Sequence, residues 1–359
     1  MDARAGFTIL GERQHAAWGE RVLPPVESLV TGLWSVPVPI PHNPLRYTLC
    51  YLVPCDEGLV VVDPGWEHEE GWSALTAGLA AAGASTSDVA GIVVTHIHHD
   101  HHGLSARLQE ASGAWIAMHP AERETLPQRT GERSLADRSR GVERWLTSGG
   151  APEQAVAELL EPLRARAGDE STAMAEPDVL LEDGDLVPVT GRRLRAVWTP
   201  GHTPGHLCLA EPDASLLLTG DHVLPRITPN IGLAPETERP ALAEFLASLR
   251  RTAGYDDHDA LPAHEYRFRG LAARSGDLID HHERRCAELV ALVERLGEPT
   301  LWELAEGMTW SRPWPEVGAM RFAALAETTA HAGYLVSTGA LEWAAPGVQP
   351  IRIRLAADR

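Results

Sequence analysis

At one point in this chain an apolar run of β-formers gives way abruptly to histidine. Ile92-Val93-Val94-Thr95 leads directly into His96-Ile97-His98-His99-Asp100-His101. Histidine and aspartate are poor core residues, and such a run offers no apolar face to bury. Imidazole nitrogen and carboxylate oxygen are the ligands that zinc and its neighbours accept. His96 and His98 can converge on one cation from a turn at a strand end, while Asp100 and His101 fall on its other side and could serve a second. A solvated histidine-rich loop is the plain alternative. An expression tag would sit at a terminus and carry no interleaved aspartate.

Two cations need more ligands than one turn supplies. Three further apolar runs end in a suitable residue: Leu194–Trp198 before Thr199-Pro200-Gly201-His202, Leu216–Leu218 before Thr219-Gly220-Asp221, and Ala260-Leu261-Pro262-Ala263 before His264. Singly, each reads as an ordinary turn or a structural histidine. Together they place metal-binding side chains at strand ends, which an α/β sheet gathers along one rim.

This set, with Asp63 closing Val60-Val61-Val62 and His202 inside Thr-Pro-Gly-His-Thr-Pro-Gly-His, resembles the metallo-β-lactamase fold superfamily over roughly residues 30 to 270. The resemblance implies an α/β fold, a four-layer αββα sandwich. It implies His96, His98 and His202 as ligands of a first metal, Asp100, His101 and His264 as ligands of a second, and Asp221 as the bridging carboxylate. Asp100 and Asp221 are the expected catalytic residues. Asp63 resembles a residue that organises the histidine loop without binding metal. His206 is left out of the ligand set, and His99, His102 and His222 are expected in solvent. The cofactor implied is a pair of divalent ions, zinc first, with iron or manganese as alternatives.

Such a pair activates a shared water, so the expectation is a dinuclear hydrolase using a metal-bridging hydroxide on an ester-like acyl bond, a thioester or lactone. His98, where flavin-partnered oxidoreductases of the superfamily carry glutamate, favours hydrolysis. Asp221 argues against antibiotic hydrolysis, because those members lack the bridging aspartate. The pattern fits glyoxalase II-like hydrolases, lactonases and the nuclease branch alike, and one-iron dioxygenases share much of it. The alternatives are a metal-dependent phosphodiesterase or endoribonuclease and a non-catalytic metal-binding regulator. There is no Gly-x-Ser-x-Gly nucleophile elbow and no phosphate-binding loop.

The net charge of −19, from 31 basic and 50 acidic residues, disfavours a nucleic-acid partner. A small-molecule acyl substrate is expected, with a homodimer as a candidate assembly. Arg267 and Arg269 are candidates for an anionic substrate tail. No apolar run reaches the ~18 residues of a membrane span, the first residues lack a signal-peptide core, and the four cysteines show no zinc-ribbon spacing. Together these point to the cytoplasm.

The chain is divided into an N-terminal extension (1–30), a catalytic domain (31–275) with a helical insertion (120–178), a connecting helix (276–298) and a small winged-helix-like C-terminal domain (299–359). The insertion is expected to cover the metal cleft. His281-His282-Glu283-Arg284-Arg285 reads as a solvated helix face, with a cleft mouth that binds acidic groups as the rival.

Overall fold

The computed structural model describes residues 6–29, 32–126, 135–165, 174–232 and 239–357. They form two compact units. The first gathers the described residues of 1–130, 172–229 and 247–277; the second those of 131–171, 230–246 and 278–359.

In the first unit the strands are β1 (Thr8–Ile9), β2 (Glu27–Ser28), β3 (Trp34–Pro39), β4 (Tyr47–Cys55), β5 (Gly58–Val62), β6 (Val89–Val93), β7 (Trp115–Met118), β8 (Val179–Leu180), β9 (Arg195–Trp198), β10 (Leu207–Glu211), β11 (Leu216–Gly220), β12 (Asp259–Pro262) and β13 (Phe268–Arg269). One sheet runs β2 to β8 in sequence order, antiparallel up to β5 and parallel beyond it. The other runs β1-β13-β12-β11-β10-β9, and its β11–β12 pair is parallel.

Among the described residues the α-helices are α1 (Glu12–Glu20), α2 (Glu69–Ala81), α3 (His99–His102), α4 (Ser105–Ser112), α5 (Pro120–Arg123), α6 (Leu135–Ser148), α7 (Glu153–Ala165), α8 (Ala241–Thr252), α9 (Leu271–Leu296), α10 (Leu301–Gly307), α11 (Trp314–Val317) and α12 (Arg321–Ser337). Parallel pairs need crossovers, and α2 and α4 supply those from β5 to β6 and from β6 to β7. Strand alternation sorts the side chains to two faces. Val61, Ile92 and Ile116 pack with Leu75 and Leu79 of α2 and Leu108 of α4. Val60, Val62 and Val93 turn the other way, onto Leu207, Leu209, Leu218 and Leu261 of the second sheet. On that sheet's outer side, Ser248 of α8 donates to the Pro200 carbonyl (2.9 Å), and Thr252 meets His222 (3.2 Å). The chain therefore forms the αββα sandwich.

Three local readings change. The stretch 180–198, whose apolar residues predict β character around a turn at 182–185, forms strand only at β8 and β9, with one isolated antiparallel bridge, Leu186 to Arg195, between them. Pro188 lacks a ladder donor, and Gly184 and Gly191 sit at positive φ. His99–His102 form a helical turn rather than an open loop. The N-terminal residues supply β1, which pairs with β13 at the sheet edge.

In the second unit, α6 and α7 belong with α10, α11, α12 and a hairpin of β14 (Leu341–Trp343) and β15 (Ile353–Leu355). The Trp302 N–H donates to the Gly149 carbonyl (2.8 Å), and Thr300 caps α10 by a reciprocal pair of bonds with Glu303. The remaining parts of the expected insertion, 127–134 and 166–173, lie outside the described residues, and with them the reading of it as a cover. The cluster at 281–285 is only partly a solvated face: Glu283 and Arg284 are exposed, but two of its members turn inward. His282 and Arg285 are buried; His282 bonds to His331 (3.1 Å), and Arg285 bonds to Glu327 (3.1 Å), Glu288 (2.9 Å) and the Thr309 carbonyl (2.7 Å).

Candidate metal centre

The expected ligands converge. His96, His98, His202 and Asp221 form one group and Asp100, His101 and His264 another, with the donor atoms of each group within 4.8 Å of one another. In the first, His96 Nε2 lies 2.9 Å from His98 Nδ1 and 3.3 Å from His202 Nε2, and His202 Nε2 lies 3.1 Å from His98 Nδ1. Asp221 straddles both. Its Oδ2 is 4.0 Å from His96 Nε2 and 3.7 Å from His202 Nε2; its Oδ1 is 3.6 Å from His101 Nε2 and 3.2 Å from His264 Nε2. Asp100 Oδ2 completes the second group, 3.4 Å from His264 Nε2 and 3.7 Å from His101 Nε2.

The backbone delivers each ligand from the end of an apolar strand: β6 the histidine run, β9 His202, β11 Asp221 and β12 His264. Asp63, at the end of β5, holds φ at +53°, a conformation that aspartate adopts more readily than most residues. Its Oδ1 accepts the Thr95 N–H (2.8 Å), and its Oδ2 accepts the Thr95 hydroxyl (2.7 Å) and His101 Nδ1–H (2.9 Å). The Thr95 hydroxyl, its proton thus committed, can accept from His96 Nδ1 (3.1 Å). His264 Nδ1–H donates to the Tyr47 carbonyl (2.8 Å). In His96, His101 and His264 alike, these bonds place the ring proton on Nδ1 and turn the Nε2 lone pair toward the centre.

A cation would satisfy what the protein leaves open. His101 Nε2, His264 Nε2 and Asp221 Oδ1 are buried with no hydrogen-bond partner. Buried polar atoms of this kind are costly unless something pairs with them. They are the nitrogen and oxygen donors that a borderline divalent metal prefers. The electrostatics agree. Burial works against a charge on His101 and His264, yet the surrounding carboxylates, Asp221 foremost, raise His101 well above its ordinary value and His264 to about 10. Burial, reinforced by the neighbouring imidazoles, holds His96 well below its own.

Several histidines expected in solvent are structural. His102 is buried between the Ser105 hydroxyl (2.8 Å) and the Ala175 carbonyl (2.9 Å), and His222 lies buried against Thr252. His99 is half-buried against Trp66. His206, left out of the ligand set, has a role of its own. Its Nε2 accepts the Asp221 N–H (3.1 Å), and its Nδ1 meets the Thr199 hydroxyl (2.8 Å), so it fixes the backbone that carries the straddling carboxylate. The repeat of Pro-Gly-His within residues 200–206 was the available signal. Arg267 and Arg269 are already engaged, by Glu27 (2.9 Å) and by Asp259 (2.7 Å).

The model of the metallo-beta-lactamase superfamily matches residues 43–264. This chain belongs to that superfamily. Members of that superfamily are generally metal-dependent hydrolases. A crystal structure of a metallo-beta-lactamase family protein from Thermus thermophilus is 32% identical, covers 90% of this chain and 98% of its own, and superposes with a TM-score of 0.73. The lactamase-like protein vrtG of Penicillium aethiopicum is 36% identical over 110 residues, 31% of this chain and 33% of that one. An acyl-coenzyme A thioesterase of Homo sapiens is 28% identical over 131 residues, 36% of this chain and 40% of that one. The chain thus spans well under half the length of these two curated relatives. No described helix is long and apolar enough to cross a membrane.

Proposed function

We propose that this chain hydrolyses an acyl thioester, with a lactone as the related alternative, at a centre of two divalent cations, zinc the first candidate. One observation carries the reading: the Asp221 carboxylate faces three imidazoles on one side and two on the other, so a single side chain can serve both groups. His96, His98 and His202 would hold one cation, Asp100, His101 and His264 the other, and Asp221 both. Two such cations lower the pKa of a shared water to about 7 and polarise the acyl oxygen. The protein's part is to keep those donors convergent and correctly protonated: Asp63 and the Tyr47 carbonyl fix the ring tautomers, and His206 fixes Asp221. The thioesterase relative supports an acyl thioester as the substrate class. The net charge of −19 weighs against a nucleic-acid substrate.

The test is metal analysis of the purified protein together with a paired substrate screen. About two cations per chain, and turnover of acyl thioesters or lactones well above that of bis-nitrophenyl phosphate and single-stranded RNA, are expected. One iron with oxygen consumption would overturn the hydrolytic reading, and preference for the phosphodiesters would overturn the acyl one.

A further inference from the structure

A buried carboxylate outside the ligand set connects two of the loops that form the centre. Glu122 lies on α5, just after β7, with no exposed surface. Its Oε2 accepts the N–H of Ile97 (2.8 Å), the residue between His96 and His98. Its Oε1 accepts the N–H of Gly205 (2.6 Å), in the turn that carries His202. Those amides lie 25 and 83 residues away in sequence.

Burying an ionised carboxylate is expensive, and the cost is tolerable only when both oxygens are bonded. An apolar residue would orphan two amides. Glutamine would satisfy one and turn its NH2 toward the other. A carboxylate is the side chain that can accept from both at once. Its mounting is firm: His119, which caps α5 by accepting the Ala121 N–H (3.1 Å), stacks on Trp198 at 5.0 Å with an interplanar angle of 6°.

We propose that Glu122 is a positioning residue of the metal centre, tying the loop of His96 and His98 to the loop of His202. This rests on the reading of those histidines as ligands. The three nitrogens concerned stand 2.9–3.3 Å apart although His202 comes from a different loop than His96 and His98. Releasing either loop removes the restraint that keeps them together.

The test is zinc affinity, measured by chelator competition on metal-stripped protein, alongside the unfolding midpoint of the same metal-free sample. E122Q is expected to bind zinc 10–100-fold more weakly, the usual cost of losing support around a metal ligand. The control is E211Q, which removes a different buried carboxylate, paired with Arg192. It is expected to lower the midpoint and leave zinc affinity at the parent value. Should E122Q fail to fold, G205A reaches the same contact from the other side. A Cβ there would stand 2.7 Å from Glu122 N and 2.8 Å from its Cγ, levering the carboxylate off the amide with its charge intact. Zinc affinity within twofold of the parent in E122Q or G205A, or an equal loss in E211Q, would overturn the proposal. A parent protein that binds no zinc would instead overturn the metal centre itself.

Discussion

Asp63→Asn tests how the centre is kept ready for metal. Asparagine accepts the left-handed backbone at this position, so the change confines itself to the side chain. The carboxylate accepts three hydrogen bonds, two from Thr95 and one from His101. An amide has one accepting oxygen, so one side must face an NH2. If that side is Oδ2, the His101 proton has to leave Nδ1 for Nε2, the atom aimed at Asp221 and Asp100, and that ligand is lost. If it is Oδ1, the buried Thr95 amide loses its acceptor. A buried donor without a partner costs about 1–3 kcal/mol, and loss of a bond that orients a metal ligand costs about 10–100-fold in affinity. Zinc competition and denaturant unfolding of the metal-free protein, compared with the parent, read the two effects separately. Metal affinity within twofold of the parent, with an unfolding free energy within about 0.5 kcal/mol, would show that Asp63 does not hold the histidines in their protonation state.

Asp221→Ala is expected to reduce turnover at least ~100-fold and to leave fewer than about two cations per chain by metal analysis; near-normal activity would refute its bridging role. Gly78→Ala sets two effects against each other in α2. Helix propensity alone would stabilise by ~1 kcal/mol, but the added Cβ would overlap the Val36 methyls on β3, and overpacking costs about 1–3 kcal/mol. Net destabilisation in denaturant melts is expected, and a gain would mean that β3 yields freely. The His282–His331 pair predicts sensitivity to acid. Burial and neighbouring cations, with His281 and Arg285 close by, hold His282 down to about 2 and His331 down to about 4. The unfolded chain, titrating near ~6.5, therefore takes up the protons first. The pair costs nothing above that pH, and stability drains away as pH falls from there toward ~4. Replacing both histidines by asparagine should flatten the difference, and identical acid profiles for parent and variant would contradict it.

The convergence of the candidate ligands was legible because each closes an apolar run. That pattern has few other uses and recurs after β6, β9, β11 and β12. The supporting residues were not. His206 showed only in the repeated Pro-Gly-His, while His102 and His222 take their partners from Ala175 and Thr252, and nothing local distinguishes such a buried histidine from one in water. Glu122 sits in a short charged stretch that resembles any surface turn until its two amides arrive from elsewhere in the fold. The helices were placed well where caps and apolar period agreed, as in α2, which stops just before Gly83. The stretch 180–198 misled because its apolar residues come with Pro188, Gly184 and Gly191, which interrupt strand pairing. The cluster at 281–285 misled for the opposite reason: beside the exposed Glu283 and Arg284, His282 and Arg285 are buried against His331 and Glu327 of α12.

The ligands emerge in a fixed order during synthesis, the histidine run first, then His202 and Asp221, and His264 last. Until β12 docks beside β11, the second group lacks one of its imidazoles, and Asp221 Oδ1 has His101 but not His264 beside it. Before then, the second group could offer a passing cation only a partial grip. Filling both groups would wait for β12, so a second cation would report a finished fold.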